Sequence, residues 1–226
     1  MIDISRHREI VNPNNFNEQI HIVGVGSVGS WVATILVKMG FNNINLYDFD
    51  VVEEHNLANQ AYDNGDIGKF KVDALKKHLT NINEDVIVNT SNERVDENNR
   101  FGGIVFLLTD TMASRKEIYE NCIKNKINVK LMIETRMGAD QGVIYTINPM
   151  GYLETKYYDN TLSYTDDQAE TSFCGISTTV LPTALSIASQ SIWQLINYIN
   201  GENYQSEVNT NYKTNQIFAQ DFKKYI

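Results

Sequence analysis

The 226 residues suit one α/β domain, or one domain with an elaborated edge, and are enough for a sizeable core. A formal net charge of −9 and a pI near 4.9 argue against broad nucleic-acid binding, which needs a basic face, though not against a folded RNA substrate. No apolar run reaches membrane-spanning length and Met1–Arg6 has no signal-peptide architecture, so a cytoplasmic protein is expected, with no membrane partner.

Residues 1–18 read as a polar arm carrying Arg6-His7-Arg8 and the turn Asn12-Pro13-Asn14-Asn15. Ile20-His21-Ile22-Val23 reads as a short buried strand, and the turn Gly24-Val25-Gly26-Ser27-Val28-Gly29 follows it. Val28, Val32, Ile35, Leu36 and Met39 then recur at helical spacing, with Gly40 placed to end the helix. The second strand ends Leu46-Tyr47-Asp48-Phe49-Asp50. Strand, glycine turn, helix and strand make the βαβ unit that binds nucleotides. Gly24 permits the turn, Gly26 lets a phosphate approach the backbone, and Gly29 lets helix and strand pack closely. The N–H groups at the helix start favour an anion, and Asp48 stands where a carboxylate can hold ribose hydroxyls.

A polar loop (51–66) comes next, and Asp66-Ile67-Gly68-Lys69 opens a helix with Phe70, Val72, Ala74, Leu75 and Leu79 on its apolar side. The helix dipole opposes lysines in a first turn, so Lys71 makes sense beside an anion such as a triphosphate. Strands are predicted at Glu84–Val88, Gly103–Thr109 (stopping at Asp110), Val129–Ile133 and Gly142–Ile147, with a helix over 113–125. Residues 149–172 are rich in Tyr, Thr, Asp and Gly without periodicity and read as an irregular crossover, within a segment reaching 176. A strong helix covers 181–199, ended by Asn200-Gly201, and the last 25 residues alternate weakly, as in an edge hairpin.

The order of these motifs resembles the ThiF/MoeB/HesA superfamily, the adenylyltransferase fold of ubiquitin-activating enzymes. That pattern runs GxGxxGS, D-x-D-x-V, N-L-x-R-Q, D-I-G-x-x-K and an apolar strand ending T/D. It covers about residues 5–148 and returns in the helix at 181–199. The resemblance implies a Rossmann-like, mostly parallel sheet with helices on both faces and an antiparallel edge, in a single ATP-binding domain over 1–226. It further implies Gly24, Gly26, Ser27 and Gly29 at the phosphates and Asp48 on the ribose. Asp50 would serve the loop and the metal, and Asn56, Asn59 and Gln60 would lie at phosphate or in the loop. Lys71 would sit on the α- or β-phosphate, Asp110 would hold Mg²⁺ or the reacting centre, and Arg8 would reach the ATP of a partner subunit. One residue departs: the arginine of N-L-x-R-Q is Asn59 here, so that either Arg8, Lys69 or Arg115 supplies its charge, or adenylylation is weakened, or the nucleotide is handled differently.

The activity so implied is ATP-dependent adenylylation of a carboxylate, such as the C-terminal glycine of a ubiquitin-like or sulfur-carrier protein, by a homodimer using ATP and Mg²⁺. Attack on an α-phosphate gathers negative charge, so catalysis would come from positioning and charge neutralisation. A tRNA-modifying dehydratase of the same superfamily, a nicotinamide-dependent oxidoreductase and a non-catalytic subunit of the same fold are alternatives; Asn59 favours the last. With two cysteines, no four-thiolate zinc site is expected. Cys174 is either a nucleophile or a small packing residue, and Cys122 belongs to the core. Among the rest, His21 reads as structural, Arg136 as a crevice-edge contact or an ion-paired arginine, and Tyr157-Tyr158 as a groove lining or a loop cover.

Overall fold

A computed structural model describes residues 2–163 and 178–224. Its sheet has eight strands in the order β3-β2-β1-β4-β5-β6-β7-β8. β1 (Ile20–Val23), β2 (Asn43–Tyr47), β3 (Ile87–Ser91), β4 (Gly103–Leu107) and β5 (Val129–Met137) run parallel. β6 (Gln141–Ile147), β7 (Glu207–Asn211) and β8 (Gln216–Gln220) continue it antiparallel. This is the parallel sheet with an antiparallel edge, and the closing hairpin, expected from the sequence.

Alternation along the buried strands builds a core on each face. Ile104 and Phe106 point to one cluster, with Ile22, Leu46 and Ile133, under α1 (Gly29–Lys38), α2 (Lys71–Ile82) and α5 (Leu181–Ile199). Val105 and Leu107 point to the other, with Val23 and Met132, under α3 (Met112–Ile118) and α4 (Tyr152–Thr161). Side chains such as Phe106, with no exposed surface, would each cost about 3–5 kcal/mol to truncate to alanine. That rigidity is what allows strand ends to place functional groups.

Several elements differ from the expectation. β3 begins three residues late, because Asn83 turns the chain: its side chain accepts the Asp85 N–H and its carbonyl the Val86 N–H. The helix expected over 113–125 is α3 followed by a π-turn at Tyr119–Ile123. Within the supposedly irregular 149–172, α4 forms over Tyr152–Thr161. Its buried side, Glu154, Thr155 and Tyr158, is polar or amphipathic, so no apolar stripe announces it. Glu154 accepts from Tyr204 Oη at 2.8 Å and from the Asn148 N–H at 3.1 Å. Tyr158 is fully buried, so it lines no groove, and Tyr157 is partly buried with its ring stacked on Phe222. No helix among the described residues is long and apolar enough to cross a membrane.

Candidate functional site

In a parallel sheet, ligands bind outside the carboxyl ends of the strands, where the order of connection reverses. Here β1 lies between β2 and β4, and the ends of all three face one edge. The glycine turn leaves β1 there, Asp48 follows β2, and Thr109-Asp110 follows β4.

The turn's shape depends on two glycines in different ways. Gly24 has φ +92°, and a Cβ on it would stand 2.5 Å from the Leu108 carbonyl oxygen; one on Gly29 would collide with the Gly24 carbonyl. Gly29 therefore clears the turn's own backbone, a closer constraint than the helix–strand packing expected of it. At Gly26 a Cβ would meet nothing within 4 Å, leaving the turn open toward solvent. α1 starts at Gly29 beside Ser27 and Val28, so its positive end lies at this opening, although the Ser30 N–H is already bonded to the Gly26 carbonyl at 3.1 Å.

Asp48 holds the turn from the side. Its Oδ2 accepts the Val25 N–H at 2.8 Å and its Oδ1 the Asp50 N–H at 2.9 Å. Burial raises its carboxyl pKa above the ordinary value, opposed by Lys71 and by those two N–H donors. Lys71 opens α2, is 7% exposed, and its Nζ lies 2.8 Å from Asp50 Oδ2. Its backbone N–H also donates to the Asp50 carbonyl. The anion beside this first-turn lysine is thus, within the chain, an aspartate from the neighbouring loop.

The amide-rich loop is strapped to the turn by residues that the sequence reading did not single out. Tyr62 Oη donates to the Val25 carbonyl at 2.8 Å, Ser30 Oγ accepts the Ala61 N–H at 3.0 Å, and Trp31 Nε1 donates to the Asn59 carbonyl at 3.1 Å. A GxGxxGS turn flags Ser30, but no local signal marks Tyr62. Asn56 is buried and accepts the Glu53 N–H through its side-chain oxygen, which orders the loop. Asn59 donates through its side chain to Thr179 Oγ1. Gln60 Oε1 and Thr109 Oγ1 are buried and have no hydrogen-bond partner among the described residues. Buried polar atoms are rarely left so, and both belong to segments bordering the turn.

Other candidates are placed elsewhere. Arg8 lies in an exposed turn whose neighbours pack at the far end of α1: Ile4 sits under Gly40, and His7 Nε2 is 3.0 Å from the Met39 carbonyl. Ten helical residues, about 15 Å, separate that end from the glycine turn, so Arg8 is not brought to its own chain's site. Lys69 pairs with the buried Asp66, which also lies 2.6 Å from His78 Nε2. Arg115 is buried against Glu134 at 2.6 Å and is not available as a phosphate ligand. Arg136 lies within β5, not beyond a strand end, and pairs with the same Glu134. Cys122 is core, its thiol pKa raised by burial. Cys174 lies outside the described residues.

The ThiF family model matches residues 14–225. Over 117 residues the chain is 30% identical to a tRNA threonylcarbamoyladenosine dehydratase of Haemophilus influenzae, covering 49% of this chain and 45% of that protein. Over 105 residues it is 36% identical to the adenylyltransferase and sulfurtransferase UBA4 of Scheffersomyces stipitis, covering 44% and 24%. A ubiquitin-like modifier-activating enzyme 5 of Drosophila pseudoobscura pseudoobscura is 31% identical over 112 residues, covering 48% and 28%. The matched stretches thus span less than half the length of these curated relatives. Among solved structures, E. coli MccB with AMPCPP and MccA superposes with a TM-score of 0.70 at 19% identity, covering 91% of this chain and 64% of that one. PaaA superposes with a TM-score of 0.68 at 20% identity, covering 90% and 64%. At those identities the likeness is one of fold. With the family model spanning nearly the whole chain and the motif order placed on one sheet edge, the chain belongs to the ThiF family.

Proposed function

We propose that the protein is an ATP-dependent adenylyltransferase that activates a carboxylate, the C-terminal glycine of a ubiquitin-like or sulfur-carrier protein being the class of substrate. The observation that carries this reading is the gathering of an open glycine turn, Asp48, the Lys71–Asp50 pair and Asp110 at one carboxyl edge. The donor set suits ATP. The cleared space at Gly26 and the α1 N-terminus would take phosphates, Asp48 the ribose, and Lys71 the α- or β-phosphate. The orphaned Thr109 hydroxyl can donate to an oxygen of the ligand, whereas Gln60 Oε1 can only accept, from a hydroxyl or an amine. Asp110 is exposed and supplies the hard oxygen that Mg²⁺ prefers. Bound there, Mg²⁺ would neutralise charge on the phosphates. The chain's own contribution is to orient the α-phosphate and to set Lys71 against developing charge, where each charge-assisted hydrogen bond contributes about 1.5–3 kcal/mol.

A homodimer in the cytoplasm completes the proposal, with Arg8 of the partner subunit supplying a second cation beside Lys71. A second reading is favoured by one contact. Asn59, at the position of the family's arginine, is engaged with Thr179, as suits a subunit that binds nucleotide without activating anything. ATP–pyrophosphate exchange with candidate carrier proteins separates the two. The enzyme shows exchange, abolished by Asp110→Ala and Lys71→Ala; the non-catalytic subunit binds ATP and shows none with any partner.

A further inference from the structure

A cluster of charge behind the carboxyl edge takes no direct part in the proposed chemistry. Glu134 of β5 has no exposed surface and lies between two arginines, 2.6 Å from Arg115 Nε and 3.2 Å from Arg136 Nε. Arg115 is 4% exposed, and its Nη2 donates to the Thr109 carbonyl at 2.6 Å and to the Thr135 carbonyl at 3.2 Å. Thr109 is the residue before Asp110. Thr111, the residue after, caps α3 by accepting the Ser114 N–H at 3.2 Å. Asp110 is therefore suspended between two fixed peptides.

The contacts continue beyond Glu134. Arg136 donates to Thr161 twice, to the carbonyl at 3.0 Å and to Oγ1 at 2.8 Å, and stands 4.6 Å from the Tyr145 ring centre. Thr161 closes α4. A buried charge cluster is a poor source of stability, since apolar replacements of similar volume are often as stable. Its geometry matters more. Arg115, held beside Glu134 by charge although its Nε makes no aligned hydrogen bond, fixes the carbonyl at the end of β4 through Nη2. Arg136, hydrogen-bonded to the same carboxylate, reaches the last turn of α4. Lysine, a point charge on a flexible stem, cannot reproduce two such directed bonds.

We infer that the Arg115–Glu134–Arg136 chain positions Asp110, with Arg115 as the positioning residue, and that it couples the end of α4 to the reacting edge. The catalytic part of this inference rests on the proposed adenylylation; the structural part does not. The test uses the full chain as wild type, Arg115→Lys and Arg136→Lys. It reads the carbonyl ¹³C resonance of Thr109, the urea unfolding midpoint, and kcat and KM for ATP in pyrophosphate exchange. Arg115→Lys is expected to stay folded, to shift the Thr109 resonance, and to lower kcat at least tenfold with KM for ATP within about threefold. Arg136→Lys, at the half-buried end, gives smaller changes in the same direction and serves if Arg115→Lys fails to fold. A folded Arg115→Lys protein with an unmoved Thr109 resonance overturns the inference, as does a kcat lowered only in proportion to lost folded protein. If wild type shows no exchange with any carboxylate, the adenylylation reading fails, and the Thr109 resonance alone decides whether Arg115 holds that strand end.

Discussion

The Lys71–Asp50 pair is asymmetric, and the asymmetry predicts which half is costlier to lose. The Lys71 side chain is 9% exposed, whereas that of Asp50 is 49% exposed. Asp50→Asn removes the hydrogen-bonded anion of a largely buried ammonium, leaving it only the more distant influence of the Asp48 carboxylate. Breaking a fully buried pair costs about 3–5 kcal/mol, but this one is half hydrated, so the value for a single charge-assisted hydrogen bond, about 2 kcal/mol, is the better measure. Lys71→Met keeps the buried stem and leaves Asp50 to rehydrate, at a cost under about 1 kcal/mol. ATP without added metal then offers the stranded ammonium a new anion. Ligand at a hundred times its Kd stabilises by about 2.7 kcal/mol. Asp50→Asn should gain more than wild type from the same ATP concentration, and Lys71→Met less. Urea unfolding with and without ATP, at unchanged slope, measures all three. Equal destabilisation by the two substitutions, or an ATP gain in Lys71→Met equal to that of wild type, would refute the reasoning.

Gly24→Ala forces a side chain into a left-handed backbone against the Leu108 carbonyl and should cost about 2–3 kcal/mol in urea unfolding. Gly26→Ala, whose Cβ meets open space, should change stability by less than about 0.5 kcal/mol yet weaken ATP binding about tenfold by calorimetry, because the methyl occupies the phosphate approach. His21 is packed between Tyr47 and Phe101, and burial lowers its pKa to about 4 from an ordinary 6.5. Its neutral form is the folded one, so its contribution is complete above pH 6.5 and is lost as pH falls toward 4. That loss is on the order of 3 kcal/mol. His21→Phe should flatten stability against pH across that window, and an unchanged slope would rule His21 out as its source. Asn59→Arg should lower the Kd for ATP about threefold to tenfold if that position faces phosphate, and leave it unchanged if the Thr179 contact is its whole role.

Position in the chain made the edge legible, and partnership made the rest illegible. The glycine turn, Asp48 and Asp110 follow from where apolar runs stop, because a strand's end fixes the residue after it. Lys71 was legible for a physical reason too: a cation in a first helical turn requires an anion, and the structure supplies Asp50. Arg115 reads as a stand-in phosphate cation and Arg136 as a crevice-edge contact or an ion-paired arginine, because nothing in sequence names Glu134, 19 and 2 residues away, as their shared partner. Tyr62 carries no local pattern, since its bond to Val25 spans 37 residues. α4 was hidden because its buried face holds Glu154, whose partner Tyr204 lies 50 residues away. What fails to read from sequence here is polar burial, which depends on distant partners as apolar burial does not.

Charge balance at the edge sharpens what the proposed reaction still requires. Asp48, Asp50 and Asp110 stand there, and a triphosphate would add several more negative charges. Of the nearby cations, Lys71 holds Asp50, Lys69 holds Asp66, and Arg115 is shared with Glu134, leaving little to offset that repulsion. The stretch 164–177 contains no lysine, arginine or histidine, so wherever it lies it brings no positive charge. Helix N–H groups contribute only partial charge, equivalent to roughly half a unit. Binding ATP at this edge therefore calls for charge from outside the chain's own site. On the proposed reading, a divalent ion carried by the nucleotide and Arg8 of the partner subunit would be two such sources. Both would make nucleotide affinity depend on conditions, metal in one case and protein concentration in the other, more steeply than a site that carries its own arginine.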